Sequence, residues 1–141
     1  MKIAVRFQSR GNNTKTVAQA IAKEAGVTAE PVSVPIKEPV DILFIGGGIY
    51  AGGFRGSVKK FIKNLDPKVV KSLAAFSTAA ASEGAPKIAA YAKAKNLNVS
   101  SETLSMKFGA RNNAFRGGKG VIELTDEDLS LIKSYVNKVI K

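Results

Sequence analysis

Two kinds of pattern alternate along this chain: short continuous apolar runs, and stretches with apolar residues every three or four positions. Ile3-Ala4-Val5-Arg6-Phe7 is the first run and predicts a strand. The stretch Lys15 to Ala25 carries Val17, Ile21 and Ala25 on one helical face with Ala18 and Ala22 beside them, and Gly26 ends it. Thr28 to Val34 predicts a short second strand, and Pro31 and Pro35 suit it to a sheet edge. Val40-Asp41-Ile42-Leu43-Phe44-Ile45, closed by three glycines, has the pattern of a central parallel strand. The link between these two strands, Val34 to Pro39, is too short for a helix.

A second helix is predicted from Val58, Phe61, Ile62 and Leu65, and Asp66-Pro67 stops it. Leu73-Ala74-Ala75-Phe76-Ser77-Thr78 is the fourth strand. Ser82 is placed to cap a third helix with Pro86 in its first turn and Ile88, Tyr91 and Ala92 on its buried face. Val99 to Phe108 predicts a fifth strand with Leu104, Met106 and Phe108 alternating, and Gly109 to Gly120 predicts a basic loop. Thr125 and Asp128 form a candidate capping box before a last helix with Leu129, Ile132, Val136 and Val139 on one face. Strands alternating with helices imply a parallel α/β sheet with right-handed crossovers.

With 141 residues and 45% hydrophobic content, one domain spanning 1–141 with a full core is expected. No apolar run approaches the roughly 18 residues of a membrane span, and Met1-Lys2-Ile3 leads straight into a strand. A cytoplasmic location is the expectation. Cysteine and histidine are absent, which excludes disulfides, thiolate chemistry, Cys/His metal ligation and His-dependent nucleophilic catalysis. Electron transfer by such a chain requires a borrowed cofactor. The charge is +11 and uneven. Arg55, Lys59, Lys60, Lys63, Lys68 and Lys71 face only Asp66 in their segment, and Lys107, Arg111, Arg116 and Lys119 face no acid. Such a surface is either a solvated one biased toward solubility or a docking face for an acidic partner or an anionic ligand.

In this class of sheet, ligands sit beyond the C-terminal strand ends. The segments there are Gln8–Thr14, Gly46–Gly56 and Ser77–Pro86, all rich in small or hydroxyl residues. Ser9-Arg10-Gly11-Asn12-Asn13-Thr14 joins a strand to a helix N-terminus, where unpaired N–H groups and the helix dipole favour an anion. The alternative is a plain turn with a helix cap at Asn13 or Thr14. No Gly-Lys-Ser/Thr ending follows, which excludes a Walker-type loop. Glu83 is the sole carboxylate of the three segments, so acid–base catalysis has few candidates and no catalytic residue is assigned.

Over essentially its whole length the chain resembles the flavodoxin-like proteins. The first loop resembles their phosphate signature, hydroxyl residues around a Thr-Gly-Asn-Thr core: Ser9, Asn13 and Thr14 match, while Gly11 and Asn12 replace a hydroxyl and a glycine. The resemblance implies a three-layer sandwich with a five-stranded parallel sheet of order 2-1-3-4-5 and helices on both faces. It also implies a flavoprotein of electron transport, binding FMN noncovalently. Ser9, Arg10, Gly11, Asn12, Asn13 and Thr14 would hold the phosphate. Tyr50 would stack on the ring, with Phe54 as its substitute, and Gly47, Gly48, Ile49, Ala51 and Gly52 would line the ring edge. Ser77, Thr78, Ala79 and Ala80 would meet the pyrimidine end, and alanines in place of a second aromatic would leave one flavin face open. A response-regulator receiver shares the topology but needs aspartates where Phe7-Gln8 stands.

Flavodoxins are typically acidic; this basic protein is inverted. The expected partner is therefore an acidic redox protein docking on Lys59, Lys60 and Lys63, with neither membrane nor nucleic acid involved. Two other functions stay open: a small NAD(P)H-dependent flavin or quinone reductase, hence an oxidoreductase, and a flavin-free interaction module whose basic surface binds an acidic protein or nucleic acid.

Overall fold

In the computed structural model, which describes residues 1–50, 53–109, 111 and 122–141, the first strand β1 covers Ile3–Gln8 and the first helix α1 covers Asn13–Ala25. Gly26 ends α1 in the left-handed region at φ 77°, which a glycine adopts without a Cβ clash. The chain continues through β2 (Ala29–Pro31), β3 (Val40–Tyr50), β4 (Gly53–Phe54), α2 (Gly56–Lys63), β5 (Val70–Ala79), α3 (Ala85–Ala94), β6 (Val99–Lys107) and α4 (Asp126–Ile140).

The main strands run parallel in the order β2-β1-β3-β5-β6. This is the expected 2-1-3-4-5 once the two-residue β4 is set aside. β2 is shorter than expected, because the chain turns away directly after Pro31. Residues 32–39 cross to β3 without a helix. The Arg6 guanidinium pins that crossover by donating to the carbonyls of Val34 at 2.9 Å and Pro35 at 3.3 Å. Glu30 lies 3.6 Å from the same guanidinium. Burial pulls the Arg6 pKa down, against the opposing field of Glu30.

The sheet divides the core in two. Val5, Phe7, Phe44, Phe76, Leu104, Met106 and Phe108 pack under α1 and α4. Leu43, Ile45, Leu73 and Ala75 pack under α2 and α3 with Val58, Ile62 and Ile88. On α4 the buried face is Ile132, Tyr135 and Val136, while Leu129 is 45% exposed, a correction to its expected burial. Leu129 lines a surface cavity between α1 and α4 with Ala20, Lys23, Glu24 and Lys133, which leaves it only partly covered. Tyr135 fills the core position instead. Its ring meets Phe44 edge-on at 5.7 Å, and its hydroxyl donates to the Ala75 carbonyl at 2.7 Å. The β5–β6 register shifts there, from Leu73 opposite Val99 to Ala75 opposite Thr103, so the phenol serves a carbonyl next to a ladder irregularity.

The helix starts differ. Thr125 and Asp128 form the expected capping box on α4: the Asp128 N–H donates to Thr125 Oγ1 at 3.1 Å and the Thr125 N–H to Asp128 Oδ2 at 2.9 Å. The α3 cap is Gly84 rather than Ser82. Gly84 lies against Ile49, and a Cβ there would collide with that side chain.

Candidate functional site

Parallel register brings three segments together at the C-terminal edge of the sheet. Gln8 pairs with Gly47, Gly47 with Ser77, and Gly48 with Thr78. The Ser9–Asn12 loop, the outer end of β3 and the end of β5 are therefore neighbours, as the sequence predicts. The stretch Gly46 to Tyr50 differs from expectation, being strand rather than loop. β3 runs through Tyr50 and folds back as β4, with Ile49 opposite Phe54 and Tyr50 opposite Gly53. Ala51 and Gly52 lie outside the described residues.

The glycines here make room for rings. A Cβ on Gly46 would enter the ring of buried Phe76. One on Gly48 would lie 2.6 Å from the Tyr50 hydroxyl oxygen, so the half-buried Tyr50 ring lies back against its own strand. The Arg10 guanidinium stands 5.3 Å from the centre of that ring, a cation–π contact between the first loop and β3. Phe54 is on the other side of the sheet. It meets Tyr91 of α3 edge-on at 5.8 Å, with the Lys59 ammonium 5.3 Å from its ring centre.

The loop hydroxyls are engaged inside the protein. Ser9 Oγ donates to the Gly11 carbonyl at 2.6 Å. Thr14 Oγ1 and Thr78 Oγ1, both buried, share a hydrogen bond of 2.6 Å across the sheet edge. Buried Ser77 donates to Ser105 Oγ at 3.3 Å, and Ser105 Oγ in turn accepts the Ala85 N–H at 3.2 Å at the start of α3. Ala79 and Ala80 give their carbonyls to the N–H groups of Phe108 and Gly109. Ser105 was not among the expected site residues. Alternation with Leu104 and Met106 puts it on the opposite sheet face, but only the register shows that it meets Ser77.

Asn12 occupies the α1 cap position without a side-chain cap bond, and its carbonyl accepts from the Thr16 N–H at 2.9 Å. No carboxylate stands in the first turn of α1, α2 or α3, whereas α4 opens with Asp126, Glu127 and Asp128. Arg10 and Lys15 are both exposed beside the α1 start. The sheet edge at α1 is thus electropositive and rich in N–H donors. Gln8 Oε1, buried near Gly47 and Val58, is an acceptor with no partner among the described residues.

The lysines of α2 are all exposed but diverge. Lys59 turns to Phe54, while Lys60 lines a cleft on the opposite flank of the helix. Among the described residues no helix is long and apolar enough to cross a membrane, and no group of acidic side chains is arranged to hold a metal.

A parallel sheet of this order with helices on both faces defines a doubly wound α/β protein. The flavodoxin domain profile matches residues 4–120, and the chain belongs to that family. Among solved structures, a flavodoxin from the domain Archaea is 20% identical with a TM-score of 0.73, and each chain covers 100% of the other. The Megasphaera elsdenii flavodoxin, solved in its two-electron reduced form, is 14% identical with a TM-score of 0.63 over 96% of this chain and 98% of its own. Rubredoxin oxygen:oxidoreductase from Desulfovibrio gigas is 15% identical with a TM-score of 0.69, over 96% of this chain and 34% of its own. No curated protein matches.

Proposed function

We propose that this chain binds FMN noncovalently at the C-terminal edge of the sheet and works as an electron carrier. The observation that carries this reading is the donor set at the β1–α1 junction: a helix N-terminus with Arg10 and Lys15 beside it and no carboxylate in its first turn. That set suits a terminal phosphate, and Tyr50, half-buried beside it, suits a planar ring.

FMN would supply the redox chemistry that a chain lacking cysteine and histidine has no side chains to perform. The residues of this chain bind and orient. Because Ser9 and Thr14 direct their hydroxyls to Gly11 and Thr78, phosphate recognition falls mainly to backbone N–H groups of residues 9–14 and to the Arg10 guanidinium. Tyr50 offers its ring, and Gly48 makes the room in which that ring lies. The Ser77 and Thr78 hydroxyls are bonded inward and the Ala79 and Ala80 carbonyls accept from Phe108 and Gly109, so the Ser77–Ala80 segment would meet the ring by packing rather than through its hydroxyls.

An absorbance spectrum of the purified protein, followed by titration of the apoprotein with FMN and riboflavin, tests the reading. Tight FMN binding with a much weaker riboflavin complex is expected. Equal affinity for both would remove the phosphate role of the β1–α1 loop, and binding of neither would remove the flavin.

A further inference from the structure

The helix-less crossover leaves a cleft on the α2 side of the sheet. In a sheet of this kind a helix ordinarily covers such a crossover. Here residues 32–39 are held down by Arg6 instead, and a cavity of about 550 Å³ opens between them and α2. Val32 and Ile36 form one wall, Phe61 and Leu65 the other, and Val69 closes the end. All five are half-buried and pack against the core beneath. None of the residues assigned to FMN lines this cleft.

Its surroundings are basic. Arg55, Lys60, Lys63 and Lys68 are exposed and pair with no carboxylate among the described residues, whereas Lys71 is paired with Asp41 at 3.3 Å. The one acid in the lining, Asp66, directs its carboxylate to the Lys68 N–H at 2.9 Å, within its own turn. Lys60 is the cation in the lining, and Arg55, Lys63 and Lys68 each lie within two residues of a lining position, so positive charge is spread around the cleft rather than held at one point, which suits a segment carrying several carboxylates. The apolar side chains are recessed into a cleft, so the site receives inserted side chains rather than inserting its own into a bilayer.

We propose that this cleft docks an acidic segment of a partner protein, whose apolar side chains enter between Ile36 and Phe61 while its carboxylates face Lys60 and Lys63. Charge would set the encounter rate and the recessed apolar surface would set residence. The docking face is then the flank of α2, separate from the flavin edge, and it stands whether or not FMN binds.

The test is an NMR titration of the full ¹⁵N-labelled chain with an eight-residue peptide alternating glutamate and leucine. Shifts confined to Ile36, Phe61, Leu65, Val69 and their neighbours are expected, with a Kd below about 1 mM at low salt. Binding should weaken at least about tenfold in 0.5 M NaCl, where exposed charges are screened over a few ångströms. The doubly substituted Lys60→Glu, Lys63→Glu chain changes only exposed side chains, so it should fold normally and lose the peptide; Phe61→Ala should weaken it by roughly threefold or more. Equal binding of an all-glutamate peptide would overturn the apolar component, and equal binding of a leucine–lysine peptide the electrostatic one. The proposal also fails if shifts centre on Tyr50 and residues 9–14, if no shifts occur, or if only anionic lipid vesicles bind.

Discussion

Thr14 Oγ1 and Thr78 Oγ1 lie 2.6 Å apart, both buried, tying the first turn of α1 to the end of β5 across 64 residues of sequence. One hydroxyl donates and the other accepts, so each satisfies its neighbour in a place that water does not reach. Thr14→Val or Thr78→Val alone would strand a buried hydroxyl and should cost about 1–3 kcal/mol. Replacing both with valine should cost less than the two single losses added, because no orphaned group remains. Denaturant unfolding of the four proteins in the cycle measures this coupling; strict additivity would show that the bond contributes nothing.

Arg10 sits over Tyr50 and beside the α1 start, within reach of both proposed halves of the ligand. A charge-assisted hydrogen bond to phosphate contributes about 1.5–3 kcal/mol. Arg10→Ala should therefore weaken FMN by roughly 10- to 100-fold while changing riboflavin by less than about threefold. Arg10→Lys should recover only part of the loss, since a lysine keeps the charge without the planar fork. Isothermal titration with both flavins checks the split. Parallel losses for the two ligands would mean that Arg10 acts through Tyr50 alone.

Much of this fold is written locally. The α1 stop at Gly26 and the Thr125–Asp128 capping box are short-range signals, and both form as read. Leu104, Met106 and Phe108 face the core as their alternation predicts. Three glycines after Ile45 look like a loop to any local rule, yet they continue β3. The reason is tertiary: Gly46 clears the Phe76 ring on the neighbouring strand and Gly48 clears Tyr50. Ser77–Ser105 and Thr14–Thr78 depend on strand register, which sequence periodicity does not specify. The family motif marked segments that strand register brings to one sheet edge, but not which of their hydroxyls turn inward.

Gly46 and Gly48 separate packing from ligand shape. A Cβ at Gly46 meets a fully buried Phe76 ring with no room to yield, so Gly46→Ala should destabilise the protein by about 1–3 kcal/mol. At Gly48 the obstacle is the far end of half-exposed Tyr50, which can rotate outward. Gly48→Ala should cost about 1 kcal/mol or less in stability but displace Tyr50 and weaken flavin binding. Thermal melts and flavin titrations of the two variants should rank them in opposite order. Identical ranking would disprove the assignment of Gly48 to the ring position.

Asp128 carries the acid sensitivity of the α4 start. Burial pushes its carboxyl up, but the hydrogen bond from Arg111 at 2.8 Å and those of the capping box outweigh that and leave its pKa below the usual carboxylate range. The folded state thus binds this proton less readily than the unfolded chain does. Its stabilising effect is complete above the unfolded value of about 3.9 and disappears as pH falls through the lower folded value. Asp128→Asn keeps the size and removes the charge. It should cost about 1–2 kcal/mol at pH 7, from the weakened cap and the unpaired Arg111. Below the depressed folded pKa the difference between Asp128→Asn and the parent should largely close. Urea midpoints measured from pH 7 down to about pH 2 give the comparison. A gap that stayed constant across that range would show that the ionised carboxylate is not what holds the helix start, and Arg111→Gln would then be expected to cost nothing.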